Sequence, residues 1–433
     1  MSMNLVERLA HALRRHRDPP TGVLVGSLPE DSFRSYPADG LTPQRLLTIL
    51  RNADQGDLDD QMALYEQMEE KDAHLYSVAQ TRRLAVLGLP WRIVPASSVD
   101  SERYRDRRAA EETAAFCKDA LHRFEDFESV LSHLARGIGR NIALAELVWE
   151  AGAEGLRVCD VAPIDFSRLR TALDGTLRIL TAEEPINGIE PPADKFIIHR
   201  PHGPGHAGRG GLLRVTAFAF LAKHFAVKDW LIFMEVFGMP VRIARYGPGA
   251  TPEEKRELLD MMKLLGTDAA GIFSKSVDLE IKQTRVPGDV APYESICHYF
   301  NRELSKAWLG QTLTTDTARS LATARGAAEV HDRVRRDIRD HDVRQEARTI
   351  RRDLLGPIVR LGFGPDAPVP FFVRSVDQPR EPRELARVLS VAVNELGMRV
   401  PSAWAHEALH VPESKSAESV LSGSNAARGE DGG

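Results

Sequence analysis

The sequence predicts an α+β fold in which long helices flank a small β-rich segment. Helical apolar periodicity dominates from Leu58 to about residue 140 and again from Leu212 onward. Between Asn141 and Arg200 the apolar period shifts toward two, which is typical of short strands. The 433 residues suffice for two or three domains or for one large elongated domain.

Composition indicates a folded protein and argues against several functional classes. With 42% hydrophobic and 27% charged residues, the chain is ordinary for a protein with a buried core. Its net charge of −5 argues against a protein that coats nucleic acid, so any contact with DNA must be local, weak or transient. Cys117, Cys159 and Cys297 lie far apart without a CxxC pair, which argues against a disulfide scaffold or zinc finger and fits reduced cysteines in the cytoplasm.

The first 45 residues predict a flexible terminus or an arm that docks on a neighbouring chain, because a short basic amphipathic piece precedes a Pro/Gly/Ser-rich run. They lack the continuous apolar region of a signal peptide. No stretch of the chain approaches ~18 uninterrupted apolar residues, so we expect no transmembrane helix.

Helices and one strand are predicted up to the β-rich segment. Apolar stripes run from Leu58 to Leu87, where Gly88 and Pro90 end the helical pattern. The motif LPWRIVP then predicts a strand, and helical patterns follow over 107–124 and from Asp126.

The β-rich segment leads into a long apolar helix. LAELVWE, LRVCDV, TLRIL and KFIIH predict short strands, with a tight turn at Asp174-Gly175. From about Leu212 to Phe237 the chain predicts a helix roughly 40 Å long. Lys223 and Asp229 interrupt it, which argues against a membrane span. Because it is apolar on most faces, we expect it to pack on both sides.

The C-terminal half returns to helices. VRIARY and SVDLEIKQT predict strands on either side of a helix that Thr251 caps and Pro252 opens. A helix over 294–309 precedes the Ser/Thr-rich stretch Gly310–Gly326, which predicts a mobile loop or a frayed helix start. A long charged helix to about Leu361 and a final helical pair between Pro382 and Leu409 follow, and the tail from 411 to 433 is expected to be disordered.

The segment HRPHGPGHAGRGG contains a possible nucleotide-binding motif and a possible metal site, and each motif also has a purely structural explanation. Gly203, Gly205 and Gly208 match GxGxxG, but no first half of a βαβ unit precedes them and Pro204 removes an amide, so a hinge into the long helix is favoured over nucleotide binding. The three histidines of this loop lack a Cys or carboxylate at ligand spacing, which argues against a metal site. Because no GxSxG, HExxH, Walker or paired-carboxylate signature occurs either, neither an enzyme nor a cofactor is predicted.

The charged helix after Gly326 carries many arginines, which are interleaved with Asp332, Asp337, Asp340 and Asp342. Mixed signs three and four residues apart predict a solvated face laced with salt bridges, with contacts between subunits or to a channel lumen as the alternative. The arginines considered are Arg319 and Arg325, which precede Gly326, and Arg333, Arg335, Arg336, Arg339, Arg344 and Arg348.

Four blocks, in this order and spacing, resemble the Mu-like phage portal protein family over residues 40 to 410. The blocks are KDAHLYSVAQTRRLAVLGLPWRIVP, GLLRVTAFAFLAKHFAVKDWLIFMEVFGMPVRIARY, NRELSKAWLGQTLTT and VHDRVRRDIRDHD. The resemblance implies a phage portal fold with long stem helices, a β-rich clip insertion, an α/β wing and a C-terminal helical crown. It also implies a ring of twelve copies at one capsid vertex.

The resemblance places these parts along the chain. They are a flexible arm at 1–45, wing at 46–125, a stem helix at 126–149, the clip at 150–206, a second stem helix at 207–240, wing at 241–309, a tunnel loop at 310–326, wing and crown helices at 327–410 and a disordered tail at 411–433. The expected partners are further copies of the chain, the terminase large subunit, head–tail connector proteins, major capsid and scaffold proteins, and double-stranded DNA in transit, with no membrane. The expected location is the virion, at the capsid vertex, and the host cytoplasm during assembly.

The tunnel loop supplies the predicted channel-facing residues. DNA must slide through a conduit, and each neutralised phosphate adds affinity, so a loop rich in Thr and Ser suits a lining of low friction. We expect five residues to lie nearest the channel: Thr312, Thr314, Thr315, Arg319 and Arg325.

Two other classes of function stay open from the residues alone. One is a nucleotide-dependent enzyme built on the GPGHAG loop, which a nucleotide-binding assay would reveal. The other is a different capsid or tail structural protein, or a DNA-binding regulator, which the mass of the particle in solution would separate from a ring.

Overall fold

The chain forms two units, one ending at Arg374 and the other beginning at Ser375. In this computed structural model, the described residues are 40–152, 155–172, 174–203, 205–237, 241–245, 249, 251–264, 278–282, 291–312, 324–376, 382–409 and 411. Most of the predicted arm (1–45) and tail (411–433) lies outside them, but residues 43–45 already belong to a helix.

Three helices open the first unit: α1 (Pro43–Asp54), α2 (Asp59–Lys71) and α3 (Ala73–Leu87). The continuous helical pattern predicted from Leu58 is divided at Asp72, whose carboxylate accepts hydrogen bonds from the first backbone amides of α3. A capping carboxylate satisfies amides that have no partner within the helix, so a new helix starts there. The predicted apolar stripes are buried, among them Met62 and Val78.

A short two-stranded sheet joins distant parts of the first unit. β1 (Trp91–Val94) pairs antiparallel with β9 (Phe371–Arg374), and helices α4 (Ala96–Val99), α5 (Arg107–Arg123), α6 (Phe127–Ala135) and α7 (Gly137–Arg140) follow β1. The Trp91 ring stacks on Phe372 at 5.6 Å and meets the edge of Phe127 at 5.5 Å.

The helix predicted over 126–149 was wrong in its second half. The helical turns end at Arg140, because Asn141 adopts a left-handed conformation with φ of 69°. The next residues form β2 (Ala143–Gly152), in which Leu144, Leu147 and Trp149 are buried. The LAELVWE motif is therefore a strand, as its own pattern predicts.

β2 is the middle strand of a three-stranded antiparallel sheet with the order β3-β2-β6. The other strands are β3 (Gly155–Ile164) and β6 (Phe196–His199), and a separate pair consists of β4 (Leu169–Thr171) and β5 (Leu177–Ile179). Gly175, with φ of 85°, forms the predicted turn between β4 and β5. The three-stranded sheet packs against α5, α6 and the helices near residue 355, so it lies within the main core.

The remainder of the first unit is mainly helical. Its elements are α8 (Leu212–Phe237), β7 (Val241–Arg245), α9 (Pro252–Leu264), β8 (Asp278–Lys282), α10 (Ala291–Leu309), α11 (Ala324–Ile350) and α12 (Gly356–Phe363). A single π-helical turn, Arg351–Leu355, connects α11 and α12. In the part of the chain that is described, no helix is long and apolar enough to cross a membrane.

The second unit contains α13 (Pro382–Asn394) and α14 (Ser402–Leu409), which contact each other. They match the helical pair predicted between Pro382 and Leu409. Several of their apolar side chains are exposed, including Val388 and Trp404.

Gly211 allows the loop before α8 to approach α7 closely. A Cβ at this position would lie 2.3 Å from the carbonyl oxygen of Gly139 and 2.8 Å from the carbonyl carbon of Arg140. Because backbone cannot move aside as a side-chain end can, we expect Gly211→Ala to lower the free energy of unfolding by about 1–3 kcal/mol or more. Chemical denaturation measures this change. Gly205→Ala is the matched control, since nothing lies within 4 Å of its Cβ position, and equal losses in both variants would contradict the packing argument.

Buried histidines should make the fold sensitive to acid. Burial, and then the neighbouring Arg352 and His202, lower the pKa of His199 to about 4, while its Nδ1 lies 3.0 Å from the hydroxyl of Thr349. Burial likewise lowers the pKa of His133 to about 4. Between pH ~6.5 and 4 these rings gain a proton only on unfolding, so the free energy of unfolding falls as the pH falls, by up to ~1.4 kcal/mol per pH unit for each ring.

Unfolding measured across this pH range tests the effect. His199→Gln should show a smaller slope than the parent chain. The variant His298→Gln is the control, because the His298 side chain is 59% exposed. A slope that is unchanged by His199→Gln would contradict the assignment.

Candidate subunit interface

α8 and α10 form an antiparallel pair that is anchored in the core at one end. The first half of α8 lies at that end, where Leu213 and Phe220 are buried. The last part of α10 lies beside it, with Leu304 and Trp308 buried. At the other end the ring of Tyr293 lies 5.6 Å from that of Phe233. The pair therefore extends from the core, and its far half has no core around it.

Polar contacts hold the anchored end in place. Lys223 of α8 forms an ion pair at 2.8 Å with Asp72, whose side chain is fully buried at the start of α3. His74 of α3 lies 2.8 Å from the hydroxyl of Ser305 on α10. The capping carboxylate of α3 is thus shared with α8, and α3 links both members of the pair.

One face of α8 carries an exposed apolar stripe along most of its length. The α8 stripe consists of Val215, Phe218, Phe225 and Ile232, which are 67%, 64%, 37% and 46% exposed. Their spacing of three and seven residues keeps them on one side of a helix. Because large exposed apolar patches mark interaction sites on folded proteins, the stripe is the candidate interface of this chain.

A small group of elements, β7, α9 and β8, lies between α8 and α10 in sequence. Its strands β7 and β8 pair with each other in register from Val241–Lys282 to Arg245–Asp278, and α9 packs on β7. Since α8 ends at Phe237 and α10 begins at Ala291, this unit follows the far end of the helix pair.

Comparison with known proteins identifies the family. The model of the family described as portal protein of Mu bacteriophage matches residues 62–411. The chain belongs to this portal family. The portal protein of Escherichia phage Mu is 32% identical over 397 residues, which are 90% of this chain and 74% of that protein. The Mu-like prophage FluMu protein gp29 of Haemophilus influenzae is 30% identical over 398 residues, with the same coverage of both chains.

A solved structure supports the same fold. A chain in the neck of an empty GTA particle, computed with C6 symmetry, has a TM-score of 0.50 at 13% identity and covers 79% of this chain and 91% of that one. The mixed helical and stranded architecture of this portal family member is therefore the portal fold, as the sequence predicts.

The predicted channel residues of this portal family member fall largely outside the described residues. Thr314, Thr315 and Arg319 lie outside them, and Arg325 belongs to α11, where its side chain is not described. Thr312 is half-buried just beyond α10. Next to it, Gly310 approaches Val334 and Ile338 of α11, so the start of the predicted tunnel loop packs on the charged helix.

Between residues 332 and 342, α11 is balanced in charge, as predicted for this portal chain. Arg336 pairs with Asp332, and Arg339 pairs with Asp340. Asp342 is buried and accepts two hydrogen bonds from Arg82 of α3, at 2.8 and 3.0 Å. The salt-bridged face is confirmed for residues 332–342, and one of its aspartates fixes α11 to α3.

The three histidines of the Gly-rich loop contact groups of the fold. His199 contacts Thr349, His202 lies 2.9 Å from the carbonyl oxygen of Ile138, and His206 lies 3.2 Å from the Thr171 hydroxyl. Among the described residues, no three His, Cys, Asp or Glu side chains are grouped as metal ligands. Gly208 packs against Leu58 and Gln61, so the loop serves as a packed connection into α8.

Sequence reasoning missed the pairing of α8 with α10 and the role of Asp72. A helix start at residue 73 was readable, because Asp72 precedes two amides that need an acceptor. Its second bond, to Lys223, joins positions 151 residues apart, and no local pattern signals it.

Proposed function

We propose that this chain is the subunit of a ring at one capsid vertex, through which double-stranded DNA enters and leaves the capsid. The observation that carries the proposal is the α8 stripe, an apolar face left open by the fold in a chain of the Mu portal family. A stripe on one side of a subunit that fits a different surface on the next copy makes a heterologous contact, which closes into a ring when the rotation per subunit divides a full turn. We propose twelve copies in the capsid.

The division into wing, stem and clip is proposed in a revised form. The stem is the antiparallel pair α8 and α10, since it extends from the core and exposes the α8 stripe. The clip is the unit β7–α9–β8, because it follows the far end of the stem. The sheet first expected to be the clip, at 150–206, is assigned to the wing, since its strands pack within the main core.

The remaining parts keep their expected roles. α13 and α14 form the crown, and the segment 310–326 forms the tunnel loop, with Thr312, Thr314, Thr315, Arg319 and Arg325 facing DNA. The balanced charges between residues 332 and 342 of α11 support a channel lining that does not bind the phosphate backbone tightly at this part of the helix. Cross-linkers placed at these five positions should label DNA inside the ring, and labelling of protein alone would contradict their placement.

The partners of the ring follow from this role. We propose that the clip docks the terminase large subunit during packaging and the head–tail connector proteins afterwards, and that the ring contacts major capsid and scaffold proteins. The protein acts without catalysis of its own, and the packaging ATPase is another chain. It resides at the capsid vertex of the virion and assembles in the host cytoplasm.

Electron microscopy of the purified protein tests the proposal. Annular particles with a central hole wide enough for duplex DNA are the expected result. Monomers, or closed particles without a central passage, would contradict it. A turnover assay with nucleoside triphosphates adds an independent reading, because hydrolysis by the chain itself would favour the nucleotide-dependent enzyme.

A further inference from the structure

Two cavities of about 610 and 1050 Å³ flank the end of α11 and the π-helical turn that follows it. The smaller lies toward the loop after β6, and the larger toward β9 and the start of α5. Arg348 and Arg352 line both cavities. The two cavities adjoin along these two side chains and are together called the groove.

The groove has a strong excess of positive charge. The arginine groove is defined by the six arginines of its lining: Arg103, Arg200, Arg344, Arg348, Arg351 and Arg352. Its lining carboxylates are Glu190, Asp353 and Asp366, and Asp353 is engaged by Arg352 at 2.5 Å. Between residues 332 and 342 of α11, by contrast, four arginines stand beside four aspartates, and two of the arginines pair with aspartates of the same helix. The imbalance therefore begins at Arg344.

Several of these guanidinium groups are held by neutral partners that leave their charge uncompensated. Arg351 donates hydrogen bonds to the carbonyl oxygens of Val369 and Pro370, at 3.2 and 3.3 Å, and stacks 3.8 Å from the ring centre of Phe371. Arg103 lies 5.4 Å from the ring centre of Tyr104. Cationic groups fixed in this way bind an anion with little loss of side-chain freedom.

Arg200 adds a further positive charge at the smaller cavity, which Arg352 also lines. One of the terminal nitrogens of Arg200 donates to the carbonyl oxygen of Gly205 at 3.1 Å. Burial, and then the charge of Arg352, lower the pKa of Arg200. An anion bound in the cavity would offset the repulsion between these two guanidinium groups.

We propose that the arginine groove binds the phosphate backbone of duplex DNA. Arginine presents a planar fork that matches phosphate oxygens. The positions 344, 348 and 352 stand one helical turn apart, roughly 6 Å, so the groove offers a row of cations rather than a single pocket. A row of this kind suits a polymer of phosphates better than one small anion. The inference rests on the proposed function only in that DNA is the polyanion present where the ring works.

Anisotropy of a short fluorescein-labelled duplex of arbitrary sequence tests the proposal on the full-length protein. The double variant Arg344→Gln/Arg348→Gln removes two exposed side chains of the groove. We expect it to weaken binding at least tenfold at low salt and to lower the slope of log K against log salt by about two, one for each phosphate that is no longer neutralised. The matched control is Arg333→Gln/Arg335→Gln, in the balanced half of the same helix, which should leave both quantities unchanged.

Three results would overturn the proposal. The first is unchanged DNA binding in the groove variant, and the second is an equal loss of DNA binding in the control variant. The third is a groove variant that still binds DNA but no longer binds a labelled polyglutamate peptide, which would make the groove a site for acidic protein segments. Microscopy of the same samples separates this inference from the proposed function. If the groove variant forms rings and binds DNA as tightly as the parent chain, only the groove proposal is refuted. If the parent chain forms no rings, the portal role is refuted, and the DNA affinities of the variants can still be compared.

Discussion

Phe218→Glu should convert rings of this protein into monomers. Phe218 lies in the middle of the anchored half of α8 and is 64% exposed in the single chain, so the substitution leaves the fold of the subunit intact. If the α8 stripe is the subunit interface, the next copy covers this position in a ring, and an unpaired carboxylate there would be desolvated. That cost recurs at every contact around the ring, so a moderate penalty per contact is enough to prevent closure.

Size-exclusion chromatography with light scattering measures the outcome. The parent chain should elute as a particle of many subunits, and Phe218→Glu as a species near 48.0 kDa. Ile186→Glu is the matched control, because Ile186 is 76% exposed in a loop outside the α8 stripe. If Phe218→Glu still forms annular particles, the stripe is not the interface.

The α8 stripe also shows how much of the packing can be predicted from the sequence. A helix apolar on most faces predicts packing on both sides, and the structure gives the inner side to the core through Leu213 and Phe220. The outer side stays open in the single chain. Periodicity indicates that two faces need partners, but it cannot say which of them the same chain covers.

Turns and strands were predictable where neighbouring residues in the sequence determine the backbone conformation. The Asp174-Gly175 turn and the strand motif LAELVWE are both formed. The helix that the family resemblance implies over 126–149 ends early, because Asn141 tolerates a left-handed conformation and the strand motif begins directly after it.

The clip expected at 150–206 is reassigned only by proposal, and the reason is a different physical one. A β-rich segment between helices can either project from the core or join it, and the choice depends on distant contacts. Phe196 of β6 pairs with Glu146 of β2, and Ile198 donates its amide to Asp353 at 2.9 Å, across 155 residues. Such pairings draw the sheet into the core, and no pattern within 150–206 signals them.

Removing Lys195 should be among the most damaging single changes in the subunit. Its ammonium group lies 3.1 Å from the carboxylate of Glu146, and both side chains are fully buried. It also donates to the carbonyl oxygen of Leu147 at 2.9 Å, which fixes the segment before β6 against β2. Lys195→Met leaves the buried carboxylate without its counter-ion, so we expect a loss of about 3–5 kcal/mol in the free energy of unfolding.

The measurement is sharpest in the Phe218→Glu background, because in a ring the apparent stability also depends on protein concentration. Replacing both partners, as in Glu146→Leu/Lys195→Met, removes the buried charges together and should recover much of the loss. The exposed pair Arg107–Glu111, at 2.7 Å, is the control, and Arg107→Ala should leave the free energy of unfolding nearly unchanged. If Lys195→Met cost no more than Arg107→Ala, the buried pair would not be what holds β6 on β2, and the argument that places this sheet in the wing core would lose its main support.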